Sequence, residues 1–167
     1  MFEIEKPKDR KEFQNCPEHT GPAVLVDVVD RGEKEVEYNG EKKVINKFTL
    51  SWLTDEKMDN GEPFIVFDWF TRSLHPKSKF AGAFRQIMGR GITEEDYTDG
   101  KFDVEKLIGT GALVQVTHNQ VGEKTYANIE SYMKLPATMT APGVPSDFTR
   151  LKDREKNEVV SDDEIPF

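Results

Sequence analysis

Apolar residues recur at every second position in several stretches of this chain, and that period predicts strands. In "AVLVDVV", residues 23–29, Val24, Val26 and Val28 alternate, and such a valine-rich run suits a pleated surface. Asn39-Gly40 in "EYNGEK" marks a tight hairpin, because both residues tolerate the positive φ of a type I′ turn. The next strand, "KKVINKFTLSWLT", sets Val44, Phe48, Leu50 and Trp52 on one side and Lys47, Thr49 and Ser51 on the other, so one face should be buried and the other wet. A polar loop with a second Asn-Gly pair, Asn60-Gly61, leads to "FIVFDWF", residues 64–70, which is apolar on both faces. Either both faces are covered or one meets a ligand.

The period then changes. In "PKSKFAGAFRQIMG", Phe80, Phe84 and Ile87 fall at i, i+4 and i+7, with Pro76 at a plausible first turn and Gly89 as the stop, which predicts a short amphipathic helix. "TEEDYTDGKFDVEKLIG" reads as a capped turn and another short helical segment ending at Gly109. "ALVQVTH" and "KTYANIESYMKL", separated by a turn at Gly122, form a last hairpin. The resulting order, β-β-β-α-β-β, predicts a mainly β protein. Its expected form is an OB-fold, a five-stranded Greek-key barrel with a helix between the third and fourth strands.

Residues 1–20 are polar and the prolines and glycine of "CPEHTGP", residues 16–22, mark a boundary, so an arm is expected before a domain at 21–135. After Leu135 the chain turns to prolines, small residues and mixed charge without apolar period, which predicts a flexible, disordered acidic tail over 136–167. No internal repeat is found. The N-terminus has no apolar h-region and no run is long enough to span a bilayer, so a cytoplasmic protein with no membrane partner is expected. Cys16 is the sole cysteine, which excludes an intrachain disulfide and a multi-thiolate zinc site.

The formal net charge of −8 argues against an anionic partner, but its distribution reverses the inference. From residue 69 to 93 there is no acid, while Arg72, Lys77, Lys79, Arg85 and Arg90 supply cations and His75 is a further candidate. Non-specific binding of a single strand needs cations along the backbone and aromatic faces on which bases stack. The acid-free stretch offers both. Lys47 and Lys43 extend the path, Trp69 is the favoured stacking ring, and Tyr126 is another candidate. Phe67 and Trp69 share one face of their strand and Phe64, Val66 and Phe70 the other, so one set is core and the other is available as platform. Trp52, Phe80 and Phe84 read as core.

Other chemistry finds little support. Cys16 and His19 have a metal-like spacing, yet His75 and His118 are distant in sequence, and no metal or cofactor is expected. No P-loop, nucleophile elbow or HExxH is present, and Glu94, Glu95 and Asp96 are consecutive, as in a capped turn. No catalytic residue is assigned and no enzymatic activity is expected. "GRG", residues 89–91, suits either close approach to a phosphate or a helix C-cap followed by a turn.

The chain finishes "SDDEIPF". Asp162, Asp163 and Glu164 carry charge, Pro166 stiffens the approach, and Ile165 and Phe167 are apolar, with a free α-carboxylate expected beside the last ring. Such a segment suits a pocket with an apolar floor and a cation at its rim. "DDEIPF" resembles the C-terminal tip of bacterial single-stranded-DNA-binding proteins, with Glu164 where aspartate is more usual. The body, with "HPKSKFAGAFRQIMGRGIT", "FDVEKLIGTGALVQVTH" and "YANIESYMKLP", is similar to phage-encoded proteins of OB type from about residue 21 to 136. The resemblance implies a protein that coats single-stranded DNA in phage replication, recombination and repair, and that recruits host or phage enzymes through its tip. An alternative expectation is a decoy that binds no DNA and whose tip sequesters host replication and repair proteins. Oligomeric state stays open, with a homo-oligomer among the partners the sequence allows.

Overall fold

The computed structural model describes residues 2–4 and 15–154. The chain is mainly β. Its elements are β1 (His19–Tyr38), β2 (Glu41–Lys57), β3 (Pro63–Thr71), α1 (Lys79–Met88), β4 (Gly111–Val121), β5 (Lys124–Lys134) and a single helical turn, α2 (Leu151–Arg154). Single 3-10 turns occupy Glu94–Asp96 and Val104–Leu107.

The five strands form one antiparallel sheet in the order β3-β2-β1-β4-β5. β1 sits at its centre because its first residues pair with β4 while nearly its whole length pairs with β2. Register shifts between Leu25 and Asp27 and between Asp30 and Gly32 mark irregularities of the kind that bend a strand and re-aim its side chains. The bent sheet draws its outer strands together: the Tyr132 hydroxyl on β5 donates to Asp68 Oδ2 on β3 at 2.6 Å. Asn39 and Gly40 have φ of 51° and 77°, as the expected hairpin turn requires. Beyond Asp30 and Lys47 the β1–β2 pair continues as a largely exposed, mixed-charge ribbon.

Inside the curve, Leu25, Leu50, Trp52, Phe70, Val114 and Val116 are all buried. Phe48 stacks on Phe70 at 5.5 Å, and Phe80 meets both edge-on. Such pairs contribute roughly 0.5–1.5 kcal/mol each beyond area burial. Phe80 and Phe84 reach this core from α1, as the helical spacing predicts. Ser78 caps that helix by accepting from the Ala81 amide, one turn later than Pro76 suggests, and Gly89 ends it in the left-handed region at φ 73°.

Two expectations about the sheet are corrected. Val44 is 64% exposed, because it lies on the protruding ribbon and not over the core. The outer face of β2 is not wet either: Thr49 and Ser51 are buried. Part of the reason is that the chain stays on the sheet after β5. Ala141 and Phe148 pack on Val24, Val26, Leu53 and Ile65, closing a second apolar cluster on the outer face. Gly111 admits this strap, since a Cβ there would lie 2.8 Å from that of Ala141. Arg150 then bonds Asp27 and Glu105, so part of the expected tail over 136–167 lies against the domain through Ala141, Phe148 and Arg150. The expected arm is likewise attached from residue 15: the Asn15 amide donates to the Thr125 carbonyl, and Cys16 is buried.

Candidate nucleic-acid interface

The strap covers only one end of the outer face. Alternation along β3 turns Phe64, Val66, Asp68 and Phe70 inward, so Ile65, Phe67 and Trp69 point outward. Ile65 lies under the strap, while Phe67 is 40% exposed and Trp69 is half-buried. Trp52, by contrast, is sealed in the core.

Cross-strand register assembles the rest. Trp69 is opposite Thr49, and Thr49 is opposite Val29. Arg31 crosses from the irregular part of β1, donating through Nε to Thr49 Oγ1 at 3.1 Å and holding its guanidinium 5.5 Å from the Trp69 ring centre. That contact is of the cation-π kind and fixes the indole with one face against a positive charge. Lys47 shares the outward parity of Thr49 and pairs with Thr71 on β3 and Gly32 on β1. Two outward rings, an arginine and a lysine thus occupy adjacent positions across three strands. Arg31 escaped the sequence reading, because it stands among acids in "VDRGEKE".

The other predicted cations are not gathered here. Arg72 follows β3 and stands 3.6 Å from Asp30 at a cleft of about 670 Å³, whose lining mixes Lys101 with Asp103 and Glu105. Lys77 precedes α1, with its amide donating to His75 Nδ1 at 3.1 Å. Lys79 Nζ is bound by Asp68 Oδ1 at 2.6 Å and the Trp69 carbonyl at 2.7 Å, which offsets its charge with a buried carboxylate. Arg85 is exposed on α1, its Nη2 3.4 Å from the Pro76 carbonyl. Arg90 makes a two-pronged bond to Asp96 at 2.8 and 2.9 Å and lies 5.3 Å from the Phe84 ring centre. That bond, with the Thr93 amide, holds the Asp96 carboxyl well below the usual carboxylate range. Gly89 and Asp96 therefore play capping parts, as in the blander readings of "GRG" and of the acidic triplet. Tyr126 is half-buried on β5, opposite Asn119, and Lys43 is exposed on the ribbon opposite Val36.

Cys16 is a buried thiol with Sγ 3.8 Å from His19 Nδ1, and burial pushes its pKa up to about 11. The tip, Asp162, Asp163, Glu164, Ile165, Pro166 and Phe167, lies outside the described residues. Among the described residues no helix is long and apolar enough to cross a membrane. Compared with models of known protein families and with curated proteins, the chain matches none.

Proposed function

We propose that this protein binds single-stranded DNA on the outer face of an OB-type barrel and recruits partner enzymes through its acidic segment, Asp162 to Phe167. The barrel reading is supported by the element order and by the central place of β1, which pairs with both β2 and β4. The approach of β5 to β3 through Tyr132 and Asp68 supports closure. In OB-folds the second and third strands carry the ligand face.

The observation that carries the reading is the outward placement of Phe67 and Trp69 with Arg31 and Lys47 around them. Each ring offers a base a stacking face, and the cations lie on the next two strands, Lys47 on β2 and Arg31 on β1, within reach of the phosphates that flank a stacked base. Binding through this face needs no groove geometry and no 2′-hydroxyl. Phage replication and recombination, where exposed strands must be protected, is the setting proposed, following the resemblance of the body and the tip.

A gel-shift of the full chain with single- and double-stranded oligonucleotides across a salt series tests it. Preference for the single strand, weakening as salt rises, is expected; equal affinity for duplex, or no binding, overturns it. One observation favours the decoy reading instead: Lys79 and Arg90 are paired with Asp68 and Asp96, leaving the acid-free stretch less basic than its composition. Absence of all nucleic-acid binding, with retained capture of a tip-binding host protein, would select that reading.

A further inference from the structure

We infer that His19, Asp55 and Glu56 form a binding site for one divalent transition-metal ion of the zinc class, at the junction of β1 and the end of β2. It is independent of the surface that carries Trp69.

One ligand atom from each of these residues lies within 4.8 Å of the others. The orientation of His19 gives the cluster its meaning. Nδ1 is 2.8 Å from the Pro17 carbonyl, which only accepts, so Nδ1 carries the proton of that bond. In the neutral ring, Nε2 then presents a lone pair. Nε2 is shut off from solvent without a hydrogen-bond partner, and it faces Asp55 Oδ1 at 3.6 Å. A lone pair and a carboxylate oxygen facing each other at that separation leave a gap for a cation. Two ligands held about 2.0–2.2 Å from a tetrahedral zinc ion stand roughly 3.3–3.6 Å apart, which matches. A backbone carbonyl that fixes the far ring nitrogen is also the usual outer partner of a metal-bound histidine.

The carboxylates are brought to the same place by an irregularity. Consecutive residues of a regular strand point to opposite faces, so Asp55 and Glu56 should diverge. The β2–β3 register slips between Leu53 and Lys57, and the β1–β2 ladder ends at Thr54 opposite Ala23. The two side chains are thereby released to converge. Among the described residues, neither carboxylate has a lysine or arginine partner within 4.0 Å. Gly21 completes the setting, because a Cβ there would lie 2.9 Å from Asp55 Oδ1 and 3.2 Å from His19 Cδ2. A Cβ at 21 would crowd both side chains, so the glycine leaves them room to approach each other.

One imidazole nitrogen and two carboxylate oxygens suit zinc better than magnesium, which prefers oxygen ligands alone. Water would fill the open position, on the side where Asp55 is 44% exposed. The ion would staple the start of β1 to the end of β2. Its role is to hold structure; no reaction is assigned to it.

Calorimetric titration of the chelator-treated full chain with Zn²⁺ tests the site, alongside His19→Gln, Asp55→Asn and Glu56→Gln. One equivalent is expected, with affinity falling roughly tenfold or more in each variant. The exposed Asp55→Asn change keeps the test valid if His19→Gln fails to fold. Zinc should also raise the unfolding temperature of the wild type, reversibly with chelator, and should shift the His19 Nε2 nitrogen resonance. No binding, or equal binding by the wild type and Asp55→Asn, overturns the site; so does an unmoved Nε2 resonance.

Discussion

Arg150 donates from Nε to Asp27 Oδ1 at 2.8 Å, and the adjacent Leu151 amide donates to the other oxygen of the same carboxylate at 2.9 Å. This buried anion, whose first oxygen also accepts from the Val28 amide, fixes the end of the strap to β1.

Replacing Arg150 with alanine should therefore leave Asp27 buried without its cation. Hydrogen bonds to charged groups contribute about 1.5–3 kcal/mol, so a loss in that range is expected in urea denaturation. Deleting residues 136–167 should destabilise the domain by more than the Arg150 change alone, because it also uncovers Val24, Val26 and Leu53. A fully stable truncated protein would show that the strap is dispensable.

Tyr132 provides a pH-dependent test. Burial first, and the neighbouring Asp68 charge second, raise its pKa well above the ordinary 10.0. The folded protein thus holds the phenolic proton more tightly than the unfolded chain. This contribution is complete below pH 10 and is lost as pH rises above it, when the unfolded chain ionises and the folded one does not. Tyr132→Phe should cost about 1–3 kcal/mol at neutral pH, by leaving Asp68 one hydrogen bond short. It should also flatten the alkaline fall in stability. Parallel alkaline limbs for the two proteins would contradict this assignment.

The split among the cations predicts different consequences for residues that look alike in sequence. Arg31→Ala and Lys47→Ala should each weaken single-strand binding and reduce the slope of log affinity against log salt by about 0.7. Lys79→Ala should act mainly on stability, because it strips Asp68 of its charged partner. Arg90→Ala should loosen the turn at Glu94–Asp96 and leave DNA affinity nearly unchanged. Salt-titrated binding curves together with thermal melts separate the two classes.

Much of the strand pattern was legible because alternation, turn glycines and the Phe80-Phe84-Ile87 spacing are local signals. What was hidden depended on register and on isolated anchors. Arg31 lies among acids, so a count along the chain dilutes it. Counting back from the Asn39-Gly40 turn, with Tyr38 opposite Glu41, brings residue 32 opposite Lys47 and would have set Arg31 beside it. The strap was invisible for another reason: Ala141, Phe148 and Arg150 follow neither helical nor strand period. Their meaning comes from Gly111 and Asp27, which are remote in sequence. The basic stretch differs in the opposite direction: its acid-free composition does not show that Asp68 and Asp96 approach Lys79 and Arg90 in space.

The most direct test of the central claim is tryptophan fluorescence during titration with oligo-dT at low salt. Trp52 is sealed, so any change in emission on binding should come from Trp69. Quenching is predicted for the wild type, with none in Trp69→Phe; Trp69→Ala should lower the affinity by about 1–3 kcal/mol. Undiminished wild-type emission at saturating oligonucleotide, or the same quenching in Trp69→Phe, would contradict the proposed face.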